Sequence, residues 1–425
     1  MSTINVSSST TNKSIAAWKD KKNKLVFLNV CHDEFTDNLC DSLGLEQCYY
    51  KGSTDGTDKF NSGETMIKEI SKSFRGKTVY LVAAVGYFVN DDLMKIKLLA
   101  HAALAGKAEQ VNLIVPSFPY ARQDRKTRSR EPISAALVAM ELQNVGIKRI
   151  ITFDLHNSTI GGFFNPVKTT IDNLTTRSLM RQYVEKVTKN MKLSYDDVCI
   201  ISPDMGGAKR AKKLALADKK QPFNLAIIFK ERKEAGKIAS MQILGEKNVK
   251  GKVAFIVDDM VDTAGTLSKA ASLVMKCGAL KVYAIVTHPI LSKNGCDNIN
   301  DSCLEKLVAF DTVRLNDHMV TNMIINGDSV KVLKTVDKRR VCKKLEIIPT
   351  APLLAEAVRR QECGESFGPL YYAIYEDEPM DDEEENMKVF EELKASLKKS
   401  KSKTVLSTSV ASLEELRGGD YDVDN

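Results

Sequence analysis

One tryptophan and five histidines serve 425 residues, and the nine cysteines include no CxxC pair. An odd, unpatterned set such as Cys31, Cys40, Cys199 and Cys303 argues against a disulfide framework and for reduced thiols in a cytoplasmic protein. No apolar run reaches the roughly 18 residues of a membrane span, so no transmembrane helix and no membrane partner are expected. Met1 to Ser14 lacks an apolar segment and lacks arginine, so neither a secretory signal nor a mitochondrial presequence is expected there. The region 1–23 reads as a disordered arm. The net charge of +7 is mild and no basic stripe is interleaved with aromatics, so nucleic acid is not the expected partner. Anionic small molecules suit that balance better.

What is present centres on Val253 to Leu267. Five apolar residues, Val253 to Val257, read as a buried parallel strand. The chain then turns through Asp258, Asp259 and Asp262 into Thr263, Ala264, Gly265 and Thr266, and helical spacing follows. The loop therefore stands at the carboxyl end of a strand, where open α/β sheets bind ligands. Two hydroxyls, a glycine and amides at a helix N-terminus suit a phosphate. The acidic pair before them would repel a phosphate but accepts hydrogen bonds from sugar hydroxyls. A phosphorylated sugar satisfies both halves. Taken alone, an acidic turn with a threonine cap is also a sufficient account.

Strands are expected at 24–30, 79–85, 111–116 and 149–154, with helices at 90–105 and 132–145. The alternation restarts with a helix at 174–188, strands at 198–202, 225–229 and 281–287, and a helix at 207–217. Two rounds of one βα pattern predict two related α/β domains facing a shared cleft. The boundaries expected are 24–175 for the first domain and 176–349 for the second, with 350–375 packing back on the first. The stretch from Val308 to Leu345 reads as less regular, with a polar insert from Asn326 to Arg340. Glu376 to Glu385 holds eight carboxylates and a proline, so 376–425 reads as a charged, largely disordered tail.

Four more segments stand at strand ends. Arg122 and Gln123 offer planar donors for a purine and its phosphates, with Asp124 beside them. Asp154 and His156, two apart, suit hydrated Mg²⁺ around a polyphosphate. Asp204 follows the strand ending at Ser202 and precedes two glycines, placing a carboxylate for a metal or a ribose hydroxyl. Lys230 and Arg232 set two cations on a segment able to swing over a developing anionic transition state. Each segment, by itself, is also an ordinary polar loop.

In order, Lys59-Phe60 to Glu64, Asn90 to Met94, Phe118 to Asp124, Ser129 to Ser134, Asp154-Leu-His156, Gly162-Phe-Phe164, Asp172-Asn-Leu174, Ser202-Pro-Asp204, the Asp258 to Thr266 loop and Leu353 to Arg360 resemble the ribose-phosphate pyrophosphokinase (phosphoribosyl-pyrophosphate synthetase) family. The resemblance runs from about residue 24 to 375. It implies two phosphoribosyltransferase-like domains, each a mainly parallel sheet flanked by helices. It also implies transfer of the pyrophosphoryl group of ATP to the C1 hydroxyl of ribose 5-phosphate, releasing AMP, with Mg²⁺ as cofactor. By that likeness Phe60, Ser62, Glu64, Arg122, Gln123, Asp124 and His156 hold ATP. Asp204, Asp258, Asp259, Asp262 and Thr263 to Thr266 (with Ala264 and Gly265) hold ribose 5-phosphate. Asp154, His156 and Asp204 serve the metal, and Lys230 and Arg232 are catalytic. The family also implies a homo-oligomer, a hexamer built from dimers, with paralogous synthetase subunits as further partners. Asn165 stands where an acidic residue is usual, Gly161 where a glutamine is usual and Thr127 where an aspartate is usual, so regulation is less legible than catalysis. The rival readings are a phosphoribosyltransferase, which leaves the first half unexplained, and a non-catalytic regulatory paralogue.

Overall fold

The computed structural model describes residues 17–31, 34–45, 59–67, 70, 72–86, 88–217, 221–234, 237–314, 322–325, 328–330, 341–368 and 370. For residues 230–234, 237–240, 322–325 and 328–330 it describes the backbone alone. The tail expected at 376–425 lies outside the described residues, as do most of the N-terminal arm and most of the insert from Asn326 to Arg340.

Two sheets organise the chain. The first is five parallel strands in the order β1-β2-β3-β4-β5: Leu25–Asn29, Thr78–Val82, Gln110–Ile114, Arg149–Phe153 and Thr170–Leu174. Helices α1 (Glu34–Leu43), α2 (Val89–Ala105) and α3 (Ser134–Asn144) flank it. On one face Val26, Leu28, Leu81 and Leu113 pack against Ile96 and Leu99 of α2 and Val138 and Leu142 of α3. On the other, Phe27, Tyr80, Ile151 and Phe153 meet Phe35, Leu39 and Leu43 of α1. Burial on both faces explains why these strands read as continuous apolar runs.

The second sheet has nine strands in the order β13-β12-β14-β11-β10-β9-β6-β7-β8. In chain order they are β6 (Val198–Ser202), β7 (Asn224–Glu234), β8 (Lys237–Leu244), β9 (Val253–Val261), β10 (Lys281–Pro289), β11 (Lys306–Phe310), β12 (Asn322–Ile325), β13 (Asp328–Val330) and β14 (Leu345–Ile348). Helices α4 (Arg177–Asn190) and α5 (Ala208–Ala215) cover one face; α6 (Gly265–Lys276) and α7 (Gly295–Asn300) cover the other. Its centre is parallel, and antiparallel pairs β7–β8 and β12–β13 close its edges. The stretch read as less regular in fact contributes β11, β12 and β13, and β14 starts at its end. Each is short, and β11 and β14 pair with each other in parallel across a long sequence separation, which no local pattern reveals.

The last described helix, α8 (Ala351–Cys363), returns to the first sheet. Pro352 sits in its first turn and Gly364, at φ 70°, ends it in the left-handed conformation. Leu354, Ala357 and Val358 complete the core face that α1 begins. No described helix is long and apolar enough to cross a membrane.

Candidate active site

Both sheets present the carboxyl ends of their strands to one seam. After β9, Asp262 leads into Thr263, exposed, and Ala264, buried at φ 60°. That left-handed turn starts α6 at Gly265 and leaves the first amides of a 12-residue helix without intrahelical partners. Helix α7 supports the turn: Asn298 Nδ2 donates to Thr263 O at 2.7 Å and Ser268 Oγ to Asn298 O at 2.9 Å. Ser292 Oγ donates to Asp262. Gly295 is required here, because a Cβ would stand 2.7 Å from Asp262 O.

Opposite lies a contiguous set from the first sheet. Residues 59–65 form a tight turn, with Phe60 N donating to Glu64 O at 2.9 Å and Ser62 Oγ to Glu64 Oε2 at 2.7 Å. Lys59 ties this turn to Asp91 of α2 at 2.8 Å, and Phe60 is 55% exposed. Asn90 in turn accepts from Tyr120 Oη at 2.5 Å, in the loop that carries Arg122, Gln123 and Asp124. Asp124 accepts from Asn157 Nδ2 at 2.7 Å, next to His156.

The two sets touch. Arg122 Nη1 lies 2.7 Å from Asp262 Oδ2, joining the loop after β3 to the loop after β9. His156 Nδ1 lies 2.6 Å from Asp259 Oδ2. Arg210 of α5 reaches Asp258 at 3.1 Å and Asp259 at 3.5 Å. The electrostatics follow from these contacts. Burial pushes the Asp258 carboxyl well up, and the neighbouring Asp259 charge adds to it. Burial acts upward on Asp259 also, but the His156 hydrogen bond and the Arg210 charge outweigh it and hold Asp259 below the usual range. Asp259 therefore keeps its charge where Asp258 resists ionising. The same bond to Asp259 raises His156.

Asp204 caps the turn after β6, accepting from Gly207 N at 3.1 Å. Strand β7 pairs with β6 up to Ile227 opposite Ser202, then runs on to Glu234 past the sheet edge. The segment expected to be a mobile loop is thus the tip of a hairpin. Lys230 pairs with Met241 and Arg232 with Ile238, with bulges on either side of Arg232. Bulges of this kind recur beside active sites. The side chains of Lys230 and Arg232 lie outside the described set. Asp154 accepts on Oδ2 from Thr176 and Thr287 and faces the joint between the sheets. Among the described residues no three His, Cys, Asp or Glu gather as a metal-holding group. Arg210, Ser292, Asn298 and Thr287 were not anticipated as site residues; they act on motif residues rather than belonging to a recognisable motif.

Two open α/β sheets meeting at the carboxyl ends of their strands, with the Thr263 to Thr266 turn at a helix N-terminus between them, define an α/β protein with a ligand site at the seam. The described family domains agree: residues 25–146 match the N-terminal domain of ribose phosphate pyrophosphokinase, and residues 226–372 the phosphoribosyl synthetase-associated domain. The chain is 38% identical over 341 residues to ribose-phosphate pyrophosphokinase A of Dictyostelium discoideum, covering 80% of this chain and 95% of that one. It superposes with TM-score 0.65 and 28% identity on the crystal structure of phosphoribosylpyrophosphate synthetase from Mycobacterium smegmatis, covering 80% of this chain and 98% of that one. The chain belongs to the ribose-phosphate pyrophosphokinase family.

Proposed function

We propose that this chain is a catalytically competent ribose-phosphate pyrophosphokinase. The C1 hydroxyl of ribose 5-phosphate attacks the β-phosphorus of ATP, the bond to the α-phosphate oxygen breaks, and 5-phosphoribosyl 1-pyrophosphate and AMP leave. The observation that carries this is the 2.7 Å contact between Arg122 and Asp262, which brings both substrate loops to one seam. The first sheet with α8 takes ATP and the second takes ribose 5-phosphate. Phe60 stacks on the base, Glu64, Gln123 and Asp124 fix it, and Arg122 holds the phosphates. Thr263 to Thr266 wrap the 5-phosphate, and Asp258, Asp259 and Asp262 accept from the ribose hydroxyls. Lys230 and Arg232, on the β7 hairpin, neutralise the transferring group. Such transfer depends on positioning and charge rather than covalent chemistry.

The donor set fits Mg²⁺, which keeps several waters and uses one or two protein ligands beside substrate phosphates. His156 and Asp204 would hold it. When bound it would neutralise the polyphosphate as charge shifts to the leaving group. Eight cysteines among the described residues stand outside any disulfide, which favours a cytoplasmic setting. Assembly as a dimer-based homohexamer, or with paralogous subunits, belongs to the same reading, and Met94, Leu137 and Met140, each more than 40% exposed on α2 and α3, offer apolar surface for it.

The test is AMP formation by purified protein with ATP, Mg²⁺ and ribose 5-phosphate, read by chromatography. Release of AMP that needs the sugar phosphate supports catalysis. No AMP from the isolated chain, with stimulation of a paralogous synthetase, would establish the regulatory alternative instead.

A further inference from the structure

The end of β4 grips two neighbouring strands of the second sheet at consecutive points. Phe153 O accepts from His288 Nε2 of β10 at 3.2 Å. Asp154 Oδ2 accepts from Thr287 Oγ1 of β10 at 2.8 Å. His156 reaches Asp259 of β9 at 2.6 Å. Val286 and His288 stand opposite Asp258 and Met260 in the β9–β10 register, so Thr287 lies beside Asp259. The same Asp154 oxygen accepts from Thr176 N at 3.0 Å and Thr176 Oγ1 at 2.7 Å, on the segment that links the sheets. Thr176 and Thr287 are fully buried and lie 3.1 Å apart through their hydroxyls. Asp154 itself is held at φ 36°. Its own N–H donates to Leu174 O at 2.9 Å, and Leu155 N donates to Asn173 Oδ1 at 3.0 Å. A non-glycine residue persists in this region only where its surroundings over-determine it.

We propose that Asp154 is a positioning residue rather than a metal ligand: through Thr287 and Thr176 it sets the offset between the sheets that keeps His156 within reach of Asp259. The inference rests on the seam being the active site. A cation at this oxygen would have to displace hydroxyls that have no water to turn to. A carboxylate ligand of Mg²⁺ works best facing solvent and phosphate. Asp154 touches no substrate; it acts through His156. A shift of about 3.3 Å between the end of β4 and the end of β10, one residue's rise along a strand, would carry His156 beyond hydrogen-bonding range of Asp259.

The test compares Asp154→Ala, Asp154→Asn, Thr287→Val and Thr287→Ser by steady-state kinetics and by the ¹H–¹⁵N imidazole spectrum. Positioning predicts that Asp154→Ala and Thr287→Val each lower kcat about tenfold, with KM for ATP changed less than threefold. It also predicts that both lose the downfield Nδ1 proton His156 shares with Asp259. Asp154→Asn keeps an acceptor oxygen and Thr287→Ser keeps the hydroxyl, so both should be milder and should keep that proton. A metal ligand gives a different pattern. Asp154→Asn would then be as damaging as Asp154→Ala and would need more Mg²⁺, while Thr287→Val would be harmless; that result overturns the proposal. If Asp154→Ala fails to fold, the Thr287 pair decides alone. If the wild-type chain forms no AMP, the catalytic reading fails, while the imidazole spectrum still reports on the joint.

Discussion

Arg314, just after β11, reaches from the second half of the molecule into the first. Its Nη1 donates to Cys31 O at 2.9 Å and its Nη2 lies 3.4 Å from Asp92 Oδ2. Its backbone N–H donates to Ala84 O at 3.3 Å. The side chains are 10% and 2% exposed, so this is a buried ion pair. Burial pushes the Asp92 carboxyl up, against the pull of Arg314 and a smaller pull from Lys95. Arg314→Ala removes the main counter-charge and one bond to a carbonyl. Breaking a buried pair costs about 3–5 kcal/mol. Lys95, itself buried in α2, places the expected loss near the lower end, about 3 kcal/mol. Adding Asp92→Asn takes away the stranded charge, and about 1–2 kcal/mol should return. Urea unfolding followed by Trp18, the single tryptophan, which packs against the first core, reads the change directly. A loss under about 1 kcal/mol, or strict additivity of the two substitutions, would show that Arg314 is not the clamp described.

Three further outcomes are expected. Lys230→Ala should leave ATP and ribose 5-phosphate binding near normal and lower turnover on the order of a hundredfold or more; near-normal kcat would remove Lys230 from the chemistry. Gly295→Ala forces a Cβ to 2.7 Å from Asp262 O, so KM for ribose 5-phosphate should rise about tenfold while KM for ATP stays put; equal rises would mean general disruption. His288, which burial pushes below its ordinary value, folds as the neutral ring. The unfolded chain binds its proton first, so stability from this group is present above about pH 6.5 and is lost as pH falls toward the lowered value, by about 1.4 kcal/mol per unit in that window. Unfolding free energy measured at pH 6.5 and 5.5 should depend less on pH in His288→Gln; an unchanged slope would refute the assignment.

The strands of both sheet centres were legible because burial on two faces leaves unbroken apolar runs such as Val198 to Ser202 and Val253 to Val257. Several others were not, among them three outside the Val308 to Leu345 stretch. Strand β5, Thr170–Leu174, carries Asp172 and Asn173 because it is an edge strand with partial exposure. The outer half of β7 is Lys-Glu-Arg-Lys-Glu, which lacks any apolar alternation; only its pairing with β8 makes it a strand. Helix α1 hides its apolar residues among Asp37, Asn38 and Asp41, at a helical spacing masked by a polar surround. At the site, loops with their own motif were found, whereas Arg210, Ser292 and Thr287 went unseen, since they gain meaning only from the motif residue each one touches.

The chain leaves the first sheet after Leu174 and comes back to it at Ala351, so the second sheet is strung between two crossings rather than hung from one. A body fastened at two points can pivot about the line joining them but cannot drift away. Its counterpart surfaces stay at high effective concentration throughout, and a seam made of a few hydroxyls, two imidazoles and two guanidiniums is then enough to hold them together.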